Sequence, residues 1–465
     1  MTILEPVARI INVGLPLIVE GVPAADVIQL DWRPPAFGEA DVARLALILD
    51  DDVTADANAR AITAVHSVRP QLTRVRPAKE VVPGIADGRT LLHAGPPIEW
   101  ERMCGPMRGA LIGATLFEGW AETPDQAEAL LDRGEITVDP CHHHGAVGPM
   151  AGVLAPSMPV FVATDPSDGR LAFASLNEGL GKVLRFGAFD DEVITRLSWM
   201  RDVLGPILDR ALEAFGPIDI TSLIGQALSM GDEGHNRNVA ATSLLTRRLA
   251  PTIAAMEPSS DAIAVLEFLA GNDHFALNVS MASAKLSMDA AVGMENSTLV
   301  TAMARNGVEF GLRVAGSGAE WFTTTVGPAD GLFFPGYGPD DANPDLGDSA
   351  ITETLGLGGF AMAASPAITQ FVGGNPDDAI AATKSMRRIT LGPHPAFPLP
   401  PINFAGTPSG IDVLKVLDTG VLPLINTGIA HKLAGVGQIG AGIVTAPPEV
   451  FLQAARSLAN RRGIS

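Results

Sequence analysis

Cysteine and positive charge are scarce in this chain of 465 residues, and each scarcity excludes something. Two cysteines, Cys104 and Cys141, cannot build the disulfide framework of a small secreted protein, so a reducing cytoplasm is the expected compartment. No basic stretch leading into a long apolar core opens the sequence, so no secretory leader is expected. The 32 Lys and Arg are outnumbered by 52 Asp and Glu, and a net charge of −20 argues against a nucleic-acid backbone as partner. Uninterrupted hydrophobic runs are missing too. The most apolar window, residues 355–374, is uncharged but holds five glycines and a proline, so a buried segment is expected there and not a membrane span.

What is present is 47% hydrophobic residues, enough for large cores in two to three domains. The pattern predicts an α+β, multidomain fold. Residues 1–95 read as a small Rossmann-like α/β unit, with strands near 9–13, 27–32 and 91–93 and helices over 40–50 and 55–66. The Gly14-Leu15-Pro16 turn lacks the spacing of a dinucleotide fingerprint. Residues 96–189 read as the first part of an α+β core. Helices are expected over 105–135, with Thr123-Pro124 as an N-cap and first-turn proline, then strands at 158–163, 170–175 and 183–186. Residues 190–296 carry helical spacing almost throughout and are expected to form a helical subdomain of four or five helices. Residues 297–465 complete the core, with strands at 298–304, 308–314, 321–326, 402–404, 421–426 and 443–445. Helices are expected there at 350–364, 376–387 and 448–460.

Chemistry is concentrated in a few polar clusters. Residues 139–152 read Asp-Pro-Cys-His-His-His-Gly-Ala-Val-Gly-Pro-Met-Ala-Gly and hold three of the nine histidines. Adjacent side chains diverge and no second Cys/His pair follows, so no metal site is assigned at His142, His143 and His144, and a divalent ion is the lesser reading. One or two of them are expected to donate hydrogen bonds or move protons in a cleft; capping of nearby backbone is the plainer alternative. Gly231-Asp232-Glu233-Gly234-His235-Asn236-Arg237-Asn238 joins two helical stretches, where backbone N–H groups and the Arg237 fork suit an anion and a capped interhelical turn competes. Asp232, Glu233 and His235 are a weaker metal candidate. Glu178-Gly179-Leu180-Gly181-Lys182 follows a strand but is not a P-loop. Arg305-Asn306-Gly307-Val308-Glu309 reads first as a hairpin turn. Asn426-Thr427-Gly428-Ile429-Ala430-His431-Lys432 ends a strand, where open sheets bind ligands. The acidic loop 335–348 lacks calcium-loop spacing and is expected to be ordered, as a lid.

Long stretches carry a family resemblance: DWRPP (31–35), HAGPPIEW (93–100), GPMRGA (105–110), EGW (118–120), PCHHHGAVGPMAG (140–152), LNEGLGKVLRFGA (176–188), MGDEGHNRN (230–238), TAMARNGVEFG (301–311), FPGYGPDDANPDLGDSAITET (334–354) and INTGIAHK (425–432). On these, over nearly its whole length, the sequence resembles the AllG-like (YahG/YlbE-like) family. The resemblance implies a role beside FdrA-like and AllH-like proteins in oxamate carbamoyltransferase, within anaerobic allantoin breakdown. That reaction splits oxalurate with phosphate into oxamate and carbamoyl phosphate. A different ureido or amide substrate, an amidohydrolase activity, or a non-catalytic scaffold subunit are the alternatives. A homodimer is also compatible.

The family's catalytic residues are not carried over; the candidates rest on chemistry. Arg237, Arg305 and Lys432 are suited to hold anions, with Asn236, Asn238, Asn306, Asn426 and Lys182 as further ligand contacts. His142, His144 and His431 are candidates to move protons or polarise a carbonyl, and Glu178 or Glu309 to orient them. No nucleophile motif appears, and Cys141 is a weak candidate. No cofactor is expected. The geometric expectation is that at least one of His142, His143 and His144 lies within about 10 Å of Arg237 or His431, close enough to share a small ligand.

Overall fold

The computed structural model describes residues 10–13, 27–30, 39–49, 51–256 and 260–464. The Gly14-Leu15-Pro16 turn lies outside these. The fold is α+β, with several sheets and many helices packed around one large apolar core and smaller satellites. Among the described residues no helix is long and apolar enough to cross a membrane.

The N-terminal strands Ile10–Val13 and Val27–Leu30 pair in parallel as a two-stranded sheet, followed by helices Glu39–Leu49 and Asp52–Ser67. The strand expected at 91–93 forms as Thr90–His93, but it joins Thr137–Pro140 and Val153–Leu154 rather than the first two strands. Gln71–Pro77 likewise enters a five-stranded sheet with Ile218–Asp219, Pro159–Thr164, Leu171–Ser175 and Ala146–Val147.

Between residues 191 and 289 the described chain is mainly helical, as the apolar spacing implies, with interruptions that include Ile218–Asp219 and the 230–238 loop. Helices Asp191–Trp199 and Gly205–Phe215 are bridged by a π-helical turn at Met200–Leu204; Ile220–Ser229, Val239–Met256, Ser260–Gly271 and Leu277–Asp289 follow. The last of these is buried on every side and packs between the five-stranded sheet and Ile351–Leu355. Its interior polar residues are satisfied locally: Asn278 donates to the Ser175 carbonyl at 2.6 Å and accepts from Asn177 at 2.9 Å.

Three expectations fail for identifiable reasons. Residues 183–186 are not a strand but a 3-10 turn, Leu184–Phe186. The Glu178 carboxylate gathers the N–H groups of Leu184 and Arg185 at 2.9 and 3.1 Å, and Gly179, Gly181 and Gly187 all take positive φ, so the chain curls around the carboxylate. Residues 402–404 are not a strand either, because Asn403 and Phe404 both have φ of +58°. They close a long hairpin, Thr390–Leu399 with Ala405–Ile411, whose prolines mask it in the sequence. The helix expected over 350–364 stops at Leu355, where Gly356 adopts φ of +105°, and continues as short 3-10 turns.

Two sheets position the polar clusters. One orders Phe322–Thr325, Glu309–Val314, Val300–Asn306 and Leu346–Gly347; the other orders Asp330–Phe333, Gln438–Thr445 and Leu424–Ala430.

Candidate active site

A cavity of about 260 Å³ opens where the 231–238 loop meets strands Leu424–Ala430 and Gln438–Thr445. His235, Asn236, Arg237 and Asn238 line it, with Arg185, Asp273, His274, Ser349 and Gln438; Met150, Leu180, Val239, Leu277 and Phe334 supply apolar wall.

The loop is bent into place by its own side chains. Asp232 accepts the N–H groups of Ala240 and Ala241 at 3.1 and 2.8 Å and so caps the helix Val239–Met256 from a distance. Glu233 accepts the N–H groups of His235 and Arg237 through one oxygen, at 3.1 and 2.6 Å, and Nδ2 of Asn426 through the other at 3.1 Å. Asn236 donates to the Thr427 carbonyl at 3.2 Å, and Asn238 to the His235 carbonyl at 2.6 Å. Arg237 donates from Nε to the Gly231 carbonyl at 3.1 Å and keeps its remaining donors for the cavity it lines.

The chemical centre is His235. Its Nδ1 lies 2.8 and 3.0 Å from the two oxygens of Glu353, which is wholly buried. Glu353 also accepts from Gly359 N–H, Asn426 N–H and the Thr352 hydroxyl at 3.1, 3.2 and 3.0 Å. A carboxyl group held by so many donors fixes the ring through Nδ1, and Nε2 is the ring nitrogen left for a ligand. Gly358 is required for this contact: a Cβ there would stand 1.9 Å from a Glu353 oxygen, and its φ is +58°. Burial pushes Glu233 up to about 7, against the opposing pull of His235 and its backbone donors. Burial also holds His274 down to about 4, with Arg185 and His235 adding to the effect, so it is neutral near pH 7.

The other sequence candidates are placed as follows. His142 is wholly buried, with Nε2 3.5 Å from Asp348, an edge-to-face contact with Trp321, and no hydrogen bond at either ring nitrogen. Burial lowers its pKa well below the usual value, while burial lifts Asp348 to about 7. His143 and His144 both clasp Asp139, at 3.1 and 2.8 Å; His143 also accepts from the Trp321 indole, and His144 contacts the Pro83 carbonyl. None of the three histidines lines the cavity. His431 packs against Tyr337 and accepts from Leu433 N–H, also off the cavity. Arg305 is buried in an ion pair with Asp345 at 2.6 Å and donates to Gly347 and Thr427. Asn306 caps its turn through Val308 and Glu309 N–H, and Glu309 pairs with Arg102 at 2.7 Å. Lys432 donates to the Asp340 carbonyl, and Lys182 pairs with Asp190 near the surface. Glu178 frames the turn that carries Arg185. Cys141 is buried and its thiol is pushed well up by burial, so the thiolate is disfavoured. The acidic loop is ordered: Asp345 and Asp348 anchor it inward, while Phe334, just before it, reaches the cavity.

Of the sequence candidates, Asn236, Arg237 and Asn238 therefore meet at the cavity, and Asn426 braces it. Glu353, Arg185 and His274 carry no site assignment in the sequence, and His235 reads there only as a weak metal ligand. The available signal was a lone charge inside an apolar stretch, Glu353 in Ala-Ile-Thr-Glu-Thr-Leu and Arg185 in Val-Leu-Arg-Phe. Among the described residues no three or more His, Cys, Asp and Glu group to hold a metal ion.

Fold and site together define a class: an α+β protein whose cavity joins a glutamate-oriented histidine to arginine and carboxamide donors. The comparisons with known proteins make it specific. The family model described as oxamate carbamoyltransferase subunit AllG matches residues 136–349. The oxamate carbamoyltransferase subunit AllG of Escherichia coli (strain K12) is 49% identical over 413 residues, covering 88% of this chain and 99% of that protein. YahG of the same strain is 47% identical over 466 residues, covering 98% of each. The crystal structure of a conserved protein of unknown function from Enterococcus faecalis V583 superposes with a TM-score of 0.86 at 48% identity, covering 88% of this chain and 98% of that one. The chain belongs to the AllG family.

Proposed function

We propose that the chain is the substrate-binding, proton-transferring subunit of an oxamate carbamoyltransferase, working in the cytoplasm beside FdrA-like and AllH-like partners in allantoin nitrogen breakdown. The observation that carries this reading is the Glu353–His235 pair at the wall of a cavity that also holds Arg237, Asn236 and Asn238. The name of the 49%-identical relative supports the substrate class.

The reaction balances on these groups. Hydrogen phosphate attacks the ureido carbonyl of oxalurate, and His235 Nε2 takes the phosphate proton. The bond between the carbamoyl carbon and the oxamate nitrogen then breaks, and His235 returns the proton to that nitrogen. Carbamoyl phosphate and oxamate leave. Glu353 steadies the imidazolium formed in between, and the Asn236 and Asn238 amides are suited to the carbamoyl group. Titration calorimetry of the purified chain with oxamate and with carbamoyl phosphate tests this. Binding that is lost in Arg237→Ala supports the reading. No binding, together with full activity of a reconstituted complex carrying His235→Gln, would leave the chain as a scaffold.

A further inference from the structure

We propose that Arg185 is the anchor for the anionic end of the ligand, taking a carboxylate or phosphate oxyanion inside the cavity that His235 lines. This assignment rests on the reading of that cavity as the substrate site.

Arg185 lies in the Leu184–Phe186 turn and is only 7% exposed, yet it lines the cavity. Its Nη2 donates to the Gly179 carbonyl at 2.6 Å, its Nε is enclosed without a partner, and Nη1 makes no hydrogen bond among the described residues. No carboxylate pairs with it. Glu178, the nearest candidate, instead accepts the backbone N–H groups of Leu184 and Arg185. A buried guanidinium without a counter-ion is unfavourable and is normally paired. Burial pulls Arg185 down to about 10, with Glu178 opposing, so the side chain is still a cation near neutral pH.

The other arginines near the site are placed differently. Arg305 is neutralised by Asp345, and Arg237 is one-third exposed beside Asp232. Arg185 is thus a deeply buried guanidinium at the cavity with no carboxylate paired to it among the described residues, held only by the Gly179 carbonyl and the Phe186 ring, 5.2 Å away. His274 lines the same cavity as Arg185 and His235, which sets the anchor and the proton-transfer group around one small volume. The buried apolar walls Met150 and Leu277 lower the local dielectric and so strengthen the attraction. In a chain of net charge −20, an anion needs such a local cation to enter at all.

The test is calorimetry on the full chain with oxamate and inorganic phosphate in separate titrations, comparing wild type with Arg185→Gln and, as a charge control off the cavity, Lys182→Gln. Arg185→Gln is expected to weaken the anchored anion by roughly 10- to 150-fold, the range of a lost charged hydrogen bond, while Lys182→Gln, which removes a surface charge off the cavity, stays within a few-fold. Whichever anion shows the loss is the one that Arg185 holds. Wild-type binding of both anions with unchanged affinity in Arg185→Gln overturns the anchor but spares the cavity; no binding by wild type overturns both. If Arg185→Gln does not fold, nitrogen-15 spectra of arginine-labelled wild type decide: saturating anion should move the Arg185 guanidinium signal and chloride should not. An unmoved signal overturns the anchor.

Discussion

Replacing Glu353 by Gln removes one negative charge and almost nothing else. The carboxylate is buried and accepts five hydrogen bonds from four partners, three of them at Oε1: His235 Nδ1, Gly359 N–H and Asn426 N–H at 2.8, 3.1 and 3.2 Å. A glutamine that keeps its oxygen there preserves those three. Its amide nitrogen then replaces Oε2, which lies 3.0 Å from both His235 Nδ1 and the Thr352 hydroxyl; the ring keeps its shorter bond to Oε1, and the hydroxyl, donating to the Ser349 carbonyl at 2.7 Å, can accept from the amide. The fold should therefore survive. What is lost is the charge that steadies a protonated His235 during transfer. A hydrogen bond to a charged group contributes about 1.5–3 kcal/mol. At about 1.4 kcal/mol per factor of ten, turnover should fall roughly 10- to 150-fold. KM for oxalurate should barely move, because Glu353 does not line the cavity. The assay is phosphate-dependent release of oxamate by the reconstituted complex, with thermal unfolding as the control. Turnover within about two-fold of wild type, in a variant of unchanged melting temperature, would refute the role given to the pair.

Three further outcomes follow from the same contacts. Gly358→Ala drives a Cβ to 1.9 Å from the Glu353 carboxylate at a φ of +58°, so activity should drop well beyond the about 1–3 kcal/mol of stability lost, read from paired kinetics and urea melts. Arg305→Leu leaves Asp345 buried and unpaired and should cost about 3–5 kcal/mol in urea unfolding. Glu233 titrates near 7 in the fold against 4.5 unfolded, so between those values the native state holds a proton that the unfolded chain has released. Its contribution is therefore fully favourable below about pH 4.5 and is lost as pH rises to 7, by up to about 3 kcal/mol. The stability difference between wild type and Glu233→Gln, measured from pH 4.5 to 7.5, should fall with pH; His66, His93, His274 and His394 carry the opposite slope and cancel in that difference.

Local signals were legible where local forces decide. The Asn306-Gly307 hairpin, the Thr123-Pro124 helix start and the helical run after Asp190 all form. So does the polar loop 231–238, because its glycines and short acidic side chains fold on themselves. The site's other half was not legible, since it is assembled across the chain: His235 and Glu353 are 118 positions apart, and Asn426 and Glu233 are 193. The triple histidine drew attention by composition alone. His143 and His144 instead pair with Asp139, and His142 is buried 3.5 Å from Asp348, contacts that only the tertiary fold reveals. Arg185 was hidden for a different reason: residues 183–186 look extended, and the turn that aims the guanidinium exists only because Glu178 gathers the backbone.

The most direct measurement is a crystal structure of this chain soaked with oxamate. The account predicts density for the ligand in the cavity, with its carboxylate on Arg185 and its amide facing His235 and Asn236. Density beside the triple histidine or Lys432 with the cavity vacant would contradict it.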